Sequence, residues 1–133
     1  MRRFNQGFTL IEIMIVIAII GIVVTISAPL LTEYVKKTHR SEIAGLLSEQ
    51  AQLLERFHSQ NKVYSNATGL SAGNEYYEIV PTLADQSFLL TAVRKSDASM
   101  ASDKCGDLTL SNTGVMGMNN AAAELTSKDC WGR

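Results

Sequence analysis

The chain has 133 residues, with 12 lysines and arginines against 13 aspartates and glutamates, and a formal net charge of −1. This balance argues against a dedicated nucleic-acid binder, which would carry a clustered basic surface. The two histidines, His39 and His58, lie far apart and have no ligand-like spacing with the two cysteines. There is no phosphate-binding glycine loop and no nucleophile motif, so we expect no catalytic activity, no cofactor and no metal.

The N-terminus combines a short polar leader with a membrane-length apolar run. Residues 1–7 carry Arg2 and Arg3, and residues 8–28 carry a single charge, Glu12. As a helix the run would be about 31 Å long, which matches a hydrocarbon core of roughly 30 Å. A secretory signal places its small-residue cleavage site after the apolar stretch, whereas Gly7 precedes it here. An uncleaved signal anchor with both arginines in the cytoplasm is the alternative.

Glu12 is the costly residue of this run. A charge at the centre of a membrane helix carries a penalty of roughly 2.5–3.5 kcal/mol, and somewhat less near an end. We therefore expect Glu12 to have a partner. If the chain were cut after Gly7, the new α-amine of Phe8, with an ordinary pKa near 7.7–8.0, would be a suitable one. The alternative is a polar interruption that reaches toward the lipid headgroups.

The stretch Gly7-Phe8-Thr9-Leu10-Ile11-Glu12 resembles the class III signal of type IV pilins and pseudopilins. The resemblance implies that prepilin peptidase cleaves after Gly7 and that Phe8 becomes N-methylated. It favours a pair between Glu12 of one subunit and the Phe8 amine of another, although a pair within one chain is also open. It further implies a helix that kinks or loses helicity between Gly21 and Pro29 on assembly, unless Pro29 only marks the membrane exit.

Residues 29–60 continue the helix in amphipathic form. Apolar residues recur at spacings of three, four and seven, as in Ile43, Leu47 and Leu54, and indicate one face packed on a domain. The cluster Lys36, Lys37, His39 and Arg40 is expected on a solvated face, or in contact with headgroups or acidic neighbours. One helix over about residues 8–60 is therefore predicted.

A small sheet is predicted after a connecting loop at residues 61–75. The strand candidates are residues 76–80, which we expect Pro81 to interrupt, 87–94, 107–110 and 115–118. On the second candidate, Phe88, Leu90 and Ala92 share one face. Three or four antiparallel strands would cover the apolar stripe of the helix, which gives an α+β fold. Residues 76–133 would contain this sheet and an irregular segment over residues 119–128.

Cys105 and Cys130 form one even pair in a domain with an export signal, a pattern that favours a disulfide. Two free thiols in a reducing compartment are the alternative. In the chain-entropy model the crosslink would stabilise the head by roughly 3 kcal/mol. In pilins the corresponding disulfide-bounded loop is surface-exposed and often carries recognition.

The C-terminal patterns Cys105–Leu110 and Asp129–Trp131 resemble those of the PilE-like minor pilins of type IVa systems. The resemblance implies a structural subunit, anchored in the bacterial inner membrane with its head in the periplasm and then extracted into an extracellular pilus. Its expected partners are other pilins, prepilin peptidase and an assembly machine that includes an ATPase. A major pilin, or a filament-borne DNA receptor or adhesin, is the alternative. Without Arg2 and Arg3 the side-chain charge is 10 − 13 = −3, which does not support nucleic-acid binding.

Overall fold

The computed structural model describes residues 6–132. The elements are α1 (Leu10–Asn61), β1 (Tyr77–Leu83), β2 (Phe88–Arg94), β3 (Asp107–Ser111), β4 (Met116–Asn119) and α2 (Ser127–Trp131). The chain divides between Val35 and Lys36 into two compact units. The first contains the N-terminal part of α1, and the second, which we call the head, contains the rest of α1, the sheet and α2.

In the first unit the apolar side chains of α1 are exposed from end to end. An 18-residue window of this helix has a mean hydropathy of 2.8, and none of it is buried in the protein. The described part of the chain has one helix whose length and composition would allow it to cross a membrane. Because a signal sequence near an N-terminus has the same properties, the interpretation of this helix depends on the residues that flank and interrupt it.

The head is an antiparallel sheet in the order β1-β2-β3-β4, packed on α1. Phe88, Leu90 and Ala92 lie on the buried face of β2, as the alternation in the sequence predicts. On α1, the side chains of Ile43, Leu47 and Leu54 are fully buried in the same core. The predicted α+β architecture is therefore confirmed, with four strands.

The prediction that Pro81 ends the first strand is wrong. β1 continues through Pro81, which pairs with Leu90 of β2. The backbone N–H of Ile79 donates to Ala72 O at 2.8 Å, on the side away from β2. The nitrogen of Pro81, two residues further, faces the same free edge, so the proline removes no bond from the β1–β2 ladder.

The expectation of an irregular segment over residues 119–128 also needs correction. Asn119 ends β4, and Ser127 begins α2, a five-residue helix. α2 starts with a capping box, in which Thr126 Oγ1 accepts from the backbone N–H of Asp129 while the Asp129 carboxylate accepts from that of Thr126. The pattern Thr126-Ser-Lys-Asp129 is a sequence signature of a helix start, and our sequence analysis overlooked it.

Candidate assembly site and disulfide-bounded region

Gly7, Phe8 and Glu12 lie together at the start of α1. They border one open groove of about 240 Å³ with Gln6, and a second groove, of about 250 Å³, continues from Phe8 and Glu12 along the helix. The Phe8 side chain is 82% exposed. The Gly7–Phe8 bond, where we predict cleavage, is thus close to the Glu12 carboxylate, which we predict to pair with the new amine. Both are accessible.

Thr9 fixes Glu12 in the first turn of the helix. Its hydroxyl oxygen accepts a hydrogen bond from the backbone N–H of Glu12 at 3.3 Å, as an N-cap residue does. Glu12 therefore occupies the third helical position, near the positive end of the helix dipole, where a carboxylate is favourable. The spacing Thr9-x-x-Glu12 is the capping-box pattern, so the sequence offered a local role for Glu12 beside the intersubunit one.

Gly21 and Pro29 both lie inside α1, which is helical on either side of them. A Cβ added at Gly21 would meet no atom within 4 Å. Two hydroxyls near the proline bond to the helix backbone, Thr25 to Ile22 O at 2.7 Å and Thr32 to Ala28 O at 3.1 Å. The kink expected from these two residues on assembly stays a prediction.

The predicted disulfide is present between Cys105 and Cys130, with a Cα–Cα distance of 5.7 Å. It joins the residues before β3 to α2, and both cysteines are buried. The indole nitrogen of Trp131 donates to Gly117 O of β4 at 3.0 Å. Hydrogen bonds from Thr126 lower the pKa of Asp129, with smaller contributions from the charges of Lys104 and Lys128.

A buried ion pair anchors the β2–β3 loop to α1, two residues before Cys105. Arg40 Nε donates to Asp103 Oδ2 at 2.8 Å, and Arg40 Nη2 donates to Asp103 Oδ1. Arg94 adds two bonds, from Nη1 to Asp103 O at 2.7 Å and from Nε to Asp107 Oδ1 at 3.2 Å. Burial, and after it the charge of Asp103, raises the pKa of Tyr77, whose hydroxyl is enclosed without a hydrogen-bond partner among the described residues.

The position of Arg40 corrects the sequence analysis, which placed it in a basic cluster on a solvated face. Its side chain is 6% exposed, and that of Asp103 is fully buried. Arg40 precedes Ile43 by three residues and Leu47 by seven, so it lies on the apolar stripe of α1. This spacing was visible in the sequence and could have identified Arg40 as a buried residue in need of an acidic partner.

These features define a class of protein with a membrane-length N-terminal helix and a small disulfide-bonded α+β head. Comparison with known proteins then gives the family. Residues 29–109 match the family model described as "Type IV minor pilin ComP, DNA uptake sequence receptor". Residues 2–28 match the "Prokaryotic N-terminal methylation motif". The chain belongs to the type IV pilin family, whose members are structural proteins.

Relatives in sequence support this assignment. The chain is similar to the fimbrial protein EcpC of Eikenella corrodens, with 34% identity over 102 residues, 72% of this chain and 67% of that one. It is 30% identical to the type IV major pilin protein PilE1 of Neisseria gonorrhoeae over 73% of this chain and 47% of that one. The chain thus spans two thirds of the first relative and about half of the second.

Solved structures agree with the fold. A type IV pilin from Shewanella oneidensis has a TM-score of 0.55 and 31% identity, over 72% of this chain and 97% of that chain. The non-core minor pilin PilV of Neisseria meningitidis has a TM-score of 0.59 and 19% identity, over 69% and 93% of the two chains. The likeness to PilV shows the fold alone.

Proposed function

We propose that this protein is a minor pilin, a structural subunit without catalytic activity that enters a type IV pilus used for motility, adhesion or DNA uptake. Prepilin peptidase cleaves it after Gly7, and Phe8 is then N-methylated. The proposal rests on one observation: the Gly7–Phe8 bond and the exposed Glu12 border the same groove. The minor rather than major role is supported by the minor-pilin description of the model that matches residues 29–109.

Glu12 and the new amine of Phe8 set the register of assembly. The amine is positive at neutral pH, and the carboxylate of a neighbouring subunit neutralises it in the apolar interior of the filament. A subunit that enters the filament at the wrong axial position leaves both charges without a partner. An unpaired buried charge costs several kcal/mol, which is enough to select one axial position.

Before assembly, residues 8–28 hold the chain in the bacterial inner membrane, with Arg2 and Arg3 of the precursor in the cytoplasm and the head in the periplasm. Other pilins then contact this helix, and an assembly machine with an ATPase extracts it. Gly21 and Pro29 supply weak points at which the helix kinks, because glycine is flexible and proline removes the backbone bond to Thr25 O.

The test compares Glu12→Ala with Thr25→Val. Thr25→Val is a matched control, because it removes a polar group from the same exposed helix and leaves the Glu12 charge in place. Both variants should be found in the membrane fraction at the wild-type level. Glu12→Ala should be depleted about tenfold or more from sheared surface fibres, since tenfold corresponds to only about 1.4 kcal/mol. Thr25→Val should enter fibres normally. Wild-type amounts of Glu12→Ala in fibres would refute the register role.

Mass spectrometry of the fibre-borne chain tests the processing directly. The expected N-terminus is methylated Phe8, and a chain that retains residues 1–7 in functional fibres contradicts the proposal. The same preparation gives the copy number relative to the main fibre protein. A small fraction supports the minor role, whereas a majority makes this chain the major pilin.

A DNA receptor on the filament is the second candidate function. The description of the model matched by residues 29–109 favours it, whereas a side-chain charge of −3 after processing does not. The contacts would lie at the disulfide, where Lys104, next to Cys105, and Lys128, two residues before Cys130, are both exposed.

Duplex DNA binding by the full chain in detergent, measured over a series of salt concentrations, tests this candidate. If DNA binds through Lys104 and Lys128, the affinity falls as the salt concentration rises. The double variant Lys104→Gln with Lys128→Gln then reduces the slope of log affinity against log salt concentration by about two. The matched control is Lys36→Gln with Lys37→Gln, which removes the same charge from α1. An equal loss in both double variants points to non-specific attraction, and an absence of binding removes the candidate.

A further inference from the structure

The loop between α1 and β1 contains the sequence Asn66-Ala67-Thr68. An asparagine followed two residues later by serine or threonine, with any residue except proline between them, is the acceptor pattern for sugar transfer to an asparagine side chain. The pattern occurs once in the chain. Because so short a pattern also arises by chance, its meaning depends on where the fold places the two side chains.

The fold places Asn66 in a tight turn on the surface of the head. The Ala67 N–H donates to Tyr64 O at 3.0 Å, which closes a β-turn with Ser65 and Asn66 as its central residues. Tyr64 is buried and fixes the base of this turn in the head. Asn66 and Thr68 are both exposed. The amide and the hydroxyl of the pattern are therefore accessible to an enzyme from outside.

The side chains of Asn66 and Thr68 are also free to react. Neither makes a hydrogen bond to any other residue in the range 6–132. The Asn61 side-chain nitrogen, in contrast, donates to a backbone carbonyl of α1 at 3.0 Å, and that of Asn120 donates to Asp107 Oδ2 at 3.3 Å. An amide held in this way must first give up its bond before it can enter a reaction, whereas Asn66 needs no such step.

The backbone after Asn66 can change conformation at little cost. None of the N–H groups of residues 68–70 donates to a backbone carbonyl within the described part of the chain. The loop rejoins the head at Ser71, whose N–H donates to Gln50 Oε1 at 2.7 Å. A Cβ added at Gly69 would meet no atom within 4 Å, so the space around the segment is open. A segment with so few bonds opens locally, and an enzyme can bind it without unfolding the head.

We propose that Asn66 is a glycosylation site, at which a separate glycosyltransferase adds a sugar to the side-chain nitrogen. The donor is a sugar whose anomeric carbon is bonded to a diphosphate. In the reaction a bond forms between Asn66 Nδ2 and the anomeric carbon, and the bond from that carbon to the diphosphate oxygen breaks. The diphosphate leaves with the bonding electron pair, and Nδ2 loses one proton. No oxidant or reductant is needed.

This modification is independent of the role in a pilus. Asn66 is not part of the apolar core, so a sugar at this position leaves the packing of the head unchanged. The site requires only that the chain meets the enzyme and the donor. A failure of this proposal would therefore leave the pilin function proposed above untouched, and the reverse also holds.

The test is mass spectrometry of the full chain isolated from its native cells, with a fragmentation method that keeps sugars attached. The wild type should carry at least one sugar on Asn66. Asn66→Gln should lose it completely. Thr68→Val should also lose it, because the hydroxyl of the pattern is gone, whereas Thr68→Ser should keep it. Asn112→Gln is the matched control and should stay modified, since Asn112 also lies in a turn but is followed directly by Thr113.

An unmodified Asn66 in the chain from both membranes and fibres overturns the proposal. A sugar on the hydroxyl oxygen of Ser65 or Thr68, or a sugar on Asn66 that persists in Thr68→Val, overturns it as well. Asn66→Gln and Thr68→Val should unfold at the wild-type Tm, because neither side chain has a partner in the head, and this shows that the loss of sugar is not a loss of fold.

A second arm of the experiment identifies the source of the sugar, because nucleotide-linked and lipid-linked donors share the same diphosphate chemistry. The full chain is accumulated in cells in which protein export is blocked. A sugar on Asn66 in these cells assigns the donor to a nucleotide-linked sugar of the cytoplasm. A sugar that is present only when export proceeds assigns it to a lipid-linked sugar.

Discussion

The buried pair Arg40–Asp103 should be the most sensitive point of the head. Asp103→Asn removes the charge that compensates the Arg40 guanidinium and leaves one of its two acceptor oxygens, because an amide nitrogen cannot accept from Arg40. Because the two side chains are 6% and 0% exposed, water cannot replace the lost carboxylate. Removing one partner of a buried ion pair typically costs about 3–5 kcal/mol. The whole stability of a domain of this size is about 5–15 kcal/mol, so the variant should lose a large part of it.

Thermal unfolding of the full chain in detergent, followed by the fluorescence of the single tryptophan, Trp131, measures the effect. A change of 1 kcal/mol moves the Tm of a domain of 60–100 residues by about 4–8 °C, so 3 kcal/mol predicts a fall of about 12–24 °C. Asp97→Asn is the matched control, because Asp97 is an exposed acid in the same β2–β3 loop. It should stay within about 0.5 kcal/mol of the wild type.

The double variant Arg40→Met with Asp103→Leu separates charge from packing. Replacing a whole buried pair by apolar groups of similar size is often neutral or stabilising, so this variant should recover most of the Tm lost by Asp103→Asn. A Tm fall of less than about 4 °C for Asp103→Asn would refute the reasoning, since the pair would then contribute no more than a surface one. A double variant as unstable as the single one would show that packing, not charge, is what Asp103 supplies.

Further predictions concern the C-terminal part of the head. Gly106→Ala should destabilise more than Gly114→Ala in the same unfolding assay. Both glycines have positive φ, which costs an alanine about 1–2 kcal/mol, but only at Gly106 would the new Cβ collide, 2.2 Å from Asn119 O, which adds about 1–3 kcal/mol. The lowered pKa of Asp129 means that its contribution to folding is present above the ordinary aspartate pKa near 3.9 and is lost as the pH falls through the folded value. The protection of the α2 amides from exchange, measured relative to the intrinsic rate at each pH, should therefore fall at acid pH, and Asp129→Asn should abolish this pH dependence. An acid transition that persists in the variant would assign it to another group.

The parts of the fold that the sequence predicts well are those governed by local periodicity. The alternation in β2 depends only on which residues share a face, and Phe88, Leu90 and Ala92 are all buried as expected. The disulfide follows from the cysteine count and an export signal. The intersubunit role proposed for Glu12 is a local argument of the same kind, based on a carboxylate in an apolar run five residues past Gly7, and it stays a prediction.

The features that sequence analysis misjudged depend on where an element sits against its neighbours. Pro81 is tolerated in β1 because its nitrogen faces the free edge, and that direction depends on the register with β2. Arg40 is buried because a loop 63 residues away supplies Asp103. In both cases a residue that is unfavourable by local rules is accommodated by its surroundings in the folded head.

Packing against neighbouring elements also explains why the C-terminal region is the part of the head that depends on the disulfide. The part of α1 in the head and the first three strands are held by a continuous apolar core, which includes Ile43, Leu90 and Leu108. α2 contributes only Cys130 and Trp131 as buried residues, too little apolar surface to fix five residues against their conformational entropy. The chain therefore leaves this one element to a bond that forms only in an oxidising compartment.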